Sequence, residues 1–264
     1  MQRAPFLVTF GLKWLVYGVL ISIVNLRSLG VLVLGLVAVA APLPVSVALW
    51  SVAFSFAVAF AAPRALGHLG FGRYHQPHLE DRFFLFVDIR GSTTLAERIG
   101  PIAVHRFLAA VFSVASDPIA DHGGEIYQYV GDEMVVTWPV SAGRRDARPL
   151  ACFFAIEAAI EAAAGEFERE FGVVPRLRAA LHAGPVIGGE IGDSKREIVF
   201  HGDVMNTAAR LEQATRDLDR PFLVSAQALG RLDGTEPYAR EALGPRALRG
   251  REAPVEIYAV TAAR

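Results

Sequence analysis

Across residues 1–63 the chain has no aspartate or glutamate, and over its whole 264 residues it has one cysteine. The lone Cys152 excludes an intramolecular disulfide, and its setting in the apolar stretch CFFAIEAAI makes it a core residue. An excess of either charge is also missing. Residues 64–264 carry 23 basic and 27 acidic side chains, about −4 net, which gives no electrostatic footprint for nucleic acid. His75 and His78 flank Pro77 without a Cys or His pair nearby to complete a metal site, so that segment reads as a solvated loop. His105, His122 and His201 likewise read as surface or packing histidines.

The acid-free segment is apolar in long runs. Residues 6–26 make 21 positions with Lys13 as their single charge, roughly 30 Å at helical rise, enough to cross a bilayer. Residues 45–62 add an uncharged run of 18, roughly 27 Å, sufficient for a thin membrane or an untilted helix. Between them, residues 30–41 are apolar but stop at Pro42 and Pro44; they read as interfacial or re-entrant, or as part of a third span with other boundaries. Ala38-Val39-Ala40 has the form of a signal-peptidase site, but Lys13 interrupts the apolar region and a second span would remain after cleavage. Arg3 precedes the first span and Arg64, Arg73 and Arg82 follow the second, which puts both ends in the cytoplasm. The expectation is a membrane anchor over 1–63 with two spans, a multi-pass protein of the inner membrane, and a linker over 64–80.

Residues 81–264 suit one α/β domain. The pattern predicts a buried strand at 83–88, a short helical turn at 94–100, and a helix over 101–122 that Pro118 kinks or restarts. Strands at 124–130 and 133–138 form a hairpin with Gly131-Asp132 at its tip, and an Ala- and Glu-rich helix covers 147–171. A strand at 176–182, a Gly-rich hairpin at 184–192 and a strand at 196–201 follow. Asp203 suits the N-cap of the next helix, and strand signals return at 222–224 and 255–260. This order predicts an α+β fold, a ferredoxin-like βαββαβ sandwich with an antiparallel sheet and helices on one face, preceded by transmembrane helices.

Four side chains carry candidate chemistry. Asp88 sits in FLFVDIRGST, Asp132 in YQYVGDEMVV, and Asn206 and Arg210 stand four apart in HGDVMNTAAR. Each has a bland explanation alone: a strand end, a Gly-Asp turn, an exposed helical pair. Together, two carboxylates can hold two Mg²⁺ against a nucleoside triphosphate while an amide and a guanidinium steady sugar and phosphate.

The segments FVDIRGSTTLAERIG, GGEIYQYVGDEMVVTW, LHAGPVIGGEIGD and HGDVMNTAARLE, in that order, resemble the class III adenylate and guanylate cyclase catalytic domain of the membrane-anchored bacterial type. The resemblance implies that Asp88, Asp132 and the backbone carbonyl of Ile89 bind two Mg²⁺, or Mn²⁺. One metal then lowers the pKa of the ribose 3′-hydroxyl and the other holds the β- and γ-phosphates. The loop Arg90-Gly91-Ser92-Thr93 offers N–H groups and hydroxyls to the triphosphate. Arg210 stabilises the transition state and Asn206 orients the ribose, both supplied by the opposite protomer of a homodimer. The implied reaction is ATP to cyclic AMP and pyrophosphate.

Two positions depart from the family pattern. Where adenylate cyclases carry Lys and guanylate cyclases Glu, this chain has Gln128; the companion position, commonly Asp, Thr or Cys, is Val199. A neutral amide can donate to adenine N1 or, flipped, accept from guanine N1–H, so guanylate cyclase and an inactive membrane-bound regulator are the alternatives. A diguanylate cyclase would share a related hairpin, faintly matched by VGDEM, but not the Asn-x-x-x-Arg helix. The family's phosphate-contacting Lys near the carboxyl terminus falls in LRGREAP, where Arg249 or Arg251 can substitute.

Overall fold

Arg82 through Ile89 are eight consecutive buried residues in one strand, a pattern that only a sheet covered on both faces produces. The computed structural model describes residues 74–192, 196–248 and 253–262. The expected spans at 6–26 and 45–62, most of the linker, and Arg249 and Arg251 lie outside the described residues. Gln76–Arg264 form a compact unit.

Among the described residues that unit has eight strands: β1 (His78–Ile89), β2 (Glu125–Val130), β3 (Glu133–Pro139), β4 (Leu177–Ile191), β5 (Glu197–His201), β6 (Phe222–Ser225), β7 (Tyr238–Arg246) and β8 (Val255–Ala262). They run in the order β2-β3-β1-β4-β6-β8-β7, with β5 paired to β4. The order β2-β3-β1-β4 is the ferredoxin-like core that the sequence predicts. The sheet is mixed rather than antiparallel throughout, because β4 and β6 run parallel.

Helices α1 (Ser92–Ile99), α2 (Pro101–Asp121), α3 (Arg148–Ala162) and α4 (Ala164–Phe171) precede β4, and α5 (Asp203–Asp217) follows β5. On one face, Phe83, Leu85, Val87 and Ile89 of β1 share a core with Phe107, Val111, Ala115 and Ile119 of α2 and Phe153, Ile156 and Ile160 of α3. The α2 residues recur every four positions, the stripe of an amphipathic helix. This helix is also the one candidate span, by length and composition, among the described residues. Its stripe packs into the core of the sheet. The opposite face is covered by α5, whose Leu211 packs with Ala180, Leu223 and Ile257. Helices on one face only are therefore not what forms: α5, with buried Val204, Thr207, Ala208 and Leu211, brings a second apolar face that needs the other side of the sheet.

Local differences from the sequence reading have local causes. β1 begins at His78, because residues 78–82 pair with 184–188 of β4. β4 is one strand of 15 residues, so the stretches read as a strand at 176–182 and a Gly-rich hairpin at 184–192 run on as one element, with His182, Gly184 and Gly188 inside it. Its glycines allow close packing: a Cβ on Gly189 would stand 3.3 Å from Pro77. The expected long helix breaks at Ala163 into α3 and α4. α2 continues through Pro118. Gly202, not Asp203, occupies the N-cap of α5; Asp203 is its first residue and accepts from Thr207 Oγ1 at 3.3 Å. β7 escaped the sequence reading because most of it is exposed and it contains the strand breakers Gly244 and Pro245.

Candidate active site

Asp88 lies one residue before the end of β1, opposite Glu133 on β3 and Arg178 on β4. Its alternation puts it on the α5 face, where it is only 4 % exposed. One carboxylate oxygen accepts a hydrogen bond from Arg216 Nη2 at 3.0 Å. Burial, then the neighbouring Asp132 carboxylate, pushes the Asp88 pKa up, and Arg216 opposes them.

Asp132 arrives from the tip of the β2–β3 hairpin, where Gly131 has φ 65°, a left-handed conformation that favours glycine. Its Oδ2 accepts from Ser92 Oγ at the start of α1. Gly91, in the left-handed region at φ 76°, turns the chain from β1 into that helix and leaves the first amides of α1 without intrahelical partners. Ile89 is buried as the last residue of β1, and Thr93 is exposed in the first turn of α1. The Arg90 guanidinium instead lies 3.4 Å from Asp219.

More carboxylates crowd the same place. Glu133 is pushed to about 7 by burial and then by Glu212, Asp88 and Asp132. Glu212, 3 % exposed, is likewise raised to about 7 by burial and by Asp88, with Arg216 and Arg178 opposing. One Glu212 oxygen is buried without a hydrogen-bond partner.

Among the described residues no group of three or more His, Cys, Asp or Glu side chains is set to hold a metal ion. The Asp88–Asp132 pair nevertheless fits one. A buried carboxylate whose proton affinity is raised by a second one, at a strand end with a backbone carbonyl beside it, belongs to a hard oxygen donor set that a divalent cation would relieve.

Asn206 and Arg210 are on α5 but not at this cluster. At helical rise, Arg210 is about 9 Å and Asn206 about 15 Å along the axis from Arg216, which contacts Asp88. The α5 residue that hydrogen-bonds Asp88 is thus Arg216, beyond the Asn-Arg pair toward the end of the helix. Gln128 is exposed on β2 just after a register shift, and Val199 is half-buried on β5 opposite Gly189. The residue beside each joins them: Phe200 N–H donates to Tyr127 Oη at 3.3 Å.

The sequence reading missed Arg178, Glu133, Glu212 and Arg216. The i, i+4 pair Glu212 and Arg216 was visible in ARLEQATR, and Glu133 adjoins Asp132. No spacing rule, however, ties the end of α5 to the end of β1.

Residues 75–262 match the adenylate and guanylate cyclase catalytic domain family. The chain belongs to this family. It is 43 % identical over 191 residues to Adenylate cyclase 2 of Rhizobium meliloti, covering 72 % of this chain and 53 % of that protein. It is also 31 % identical over 200 residues to Guanylate cyclase 2D of Rattus norvegicus, 72 % of this chain and 17 % of that protein. The chain thus spans about half or less of the length of these relatives. The fold is that of the adenylyl cyclase CyaB from P. aeruginosa, with a TM-score of 0.62 at 21 % identity, covering 72 % of this chain and 97 % of that one. In this domain Asp88 and Asp132 lie at the strand end and the hairpin tip, and Asn206 and Arg210 lie on α5, which covers the same face of the sheet that Asp88 occupies.

Proposed function

We propose that the protein is an adenylate cyclase that converts ATP to cyclic AMP and pyrophosphate, with each site completed by a second copy of the chain. The observation that carries this reading is the convergence of Asp88 and Asp132, from different elements, beside the start of α1. Two Mg²⁺, or Mn²⁺, bound to Asp88, Asp132 and the Ile89 carbonyl would activate the ribose 3′-hydroxyl and neutralise the triphosphate. The amides of Ser92 and Thr93 suit phosphate oxygens, with Gly91 allowing close approach and Arg90 adding positive charge at the loop. The 3′-oxygen, losing its proton, attacks the α-phosphorus as the bond to the bridging oxygen breaks and pyrophosphate leaves in line.

Arg210 and Asn206 act on the α-phosphate and ribose of the partner's site, which their distance along α5 from Arg216 supports. Exposed apolar side chains on β2 (Tyr129, Val130) and on the β4–β5 hairpin (Ile187, Ile191, Ile198) suit burial against that second copy. The choice of ATP rests on the relative named an adenylate cyclase and on Gln128, which can pair with adenine beside the apolar wall of Val199. The apolar runs at 6–26 and 45–62 would hold the domain on the cytoplasmic side of the inner membrane and raise the effective concentration of partners.

The test is an assay of the purified chain with ATP and with GTP, in Mg²⁺ and in Mn²⁺, resolving the cyclic products. Cyclic AMP is expected in excess, and Asp88→Asn and Asp132→Asn should each abolish it while the protein stays folded. Predominant cyclic GMP would reassign the base. A folded chain that turns over neither nucleotide would make it an inactive regulator.

A further inference from the structure

Arg216 is the cation nearest the acidic cluster, and its two partners are held very differently from itself. Its Nη2 is 3.0 Å from Asp88 Oδ2 and 3.6 Å from Glu212 Oε1. The side chains of Asp88 and Glu212 are 6 % and 5 % exposed, whereas that of Arg216 is 53 % exposed. Two carboxylates are therefore fixed in the protein, and the guanidinium that bridges them has open solvent to move into.

We propose that Arg216 is a built-in counter-ion that holds Asp88 in the metal-free protein and competes with a divalent cation for that carboxylate. Glu212, one helical turn before it on α5, is the holding point to which Arg216 falls back when Asp88 takes a metal. The charges facing this point from every neighbouring element are Asp88 on β1, Asp132 and Glu133 at the hairpin, Arg178 on β4, and Glu212 and Arg216 themselves. Four carboxylates against two guanidiniums leave the cluster short of positive charge, and of the two guanidiniums it is Arg216 that hydrogen-bonds Asp88. Its departure without replacement would leave a buried carboxylate unpaired, which is costly, so the exchange is coupled: the cation enters as the guanidinium leaves. The inference rests on the proposal that Asp88 is a metal ligand.

Mn²⁺ binding to the whole chain in detergent, without nucleotide, tests it through the electron paramagnetic resonance signal of free Mn²⁺. Arg216→Gln should tighten binding by roughly threefold to tenfold, the scale of losing one partly exposed charge-assisted hydrogen bond. Arg216→Lys, which keeps the charge without the fork, should fall between it and the wild type. Arg106→Gln, which removes a remote exposed cation paired with Glu170, should match the wild type. Thermal unfolding adds a second readout: Arg216→Gln should melt lower than wild type without metal and recover in saturating Mn²⁺. Unchanged or weaker Mn²⁺ binding by Arg216→Gln, with binding still lost in Asp88→Asn, would overturn the counter-ion role and leave the cyclase reading standing. Mn²⁺ binding that survives Asp88→Asn would remove the metal assignment on which both depend.

Discussion

Tyr127 and Phe200 join two parts of the candidate base pocket: the Phe200 N–H donates to the Tyr127 hydroxyl at 3.3 Å, and their rings lie 5.1 Å apart. Gln128 and Val199, the residues beside them, are thereby held in fixed relation although they belong to β2 and β5. Phe200 also stacks edge-on against Phe84 and lies under the buried Arg82, whose guanidinium carbon is 4.8 Å from its ring centroid. The anchor of the pocket wall is thus part of the core.

On that anchored wall, base choice should follow the side chain at 128. Gln128→Lys should sharpen selection for ATP and Gln128→Glu should move it toward GTP, each by about 1 to 3 kcal/mol in the kcat/KM ratio. If neither substitution changes the ratio, Gln128 does not read the base.

The hairpin that delivers Asp132 depends on a close approach at its base. A Cβ on Gly124 would stand 2.7 Å from Trp138 Cζ2 and 2.9 Å from both Ile119 Cγ2 and Val136 Cγ1. Gly124→Ala should therefore destabilise the domain by about 1 to 3 kcal/mol. Gly165→Ala, where a Cβ meets nothing within 4 Å on helix α4, should be neutral or stabilising by up to about 1 kcal/mol. Denaturant midpoints of the two variants would separate these outcomes.

The core strands, and the positions of the candidate site residues on them, were legible because their signals are local. The buried run before Asp88, the Gly131-Asp132 tip between two strands, and the helix carrying Asn206 and Arg210 each announce themselves within a few residues. What was not legible depends on the far side of the sheet. Nothing in the spacing of DVMNTAARLEQATRD says that α5 covers the face opposite α2 and α3, and that placement is what lays Arg216 on Asp88 and buries Glu212. The parallel pairing of β4 with β6 is similarly a tertiary choice, and β7 has too little apolar patterning to be recognised.

The raised carboxylates give the metal-free protein a pH dependence of definite sign. Glu133 and Glu212 ionise near 4.5 when unfolded but only near about 7 when folded. Between those values the folded state holds more protons than the unfolded one, so stability falls as pH rises through this window and levels off above it. Glu212→Gln should flatten that fall and raise the melting temperature more at pH 8 than at pH 5. A variant with the same pH profile as wild type would show that Glu212 does not titrate in this way.

The central claim is that the acidic pair of one chain and the Asn-Arg pair of another work together. Asp88→Ala and Arg210→Ala should each be inactive alone, Arg210→Ala by roughly 10²- to 10³-fold, the usual loss on removing one transition-state contact. Coexpressed and copurified through different tags, they form heterodimers with one intact site and one doubly damaged site. Cyclic AMP synthesis restored in the heterodimer is the result predicted by the account; a heterodimer that is demonstrably formed and folded but as inactive as either parent would contradict it.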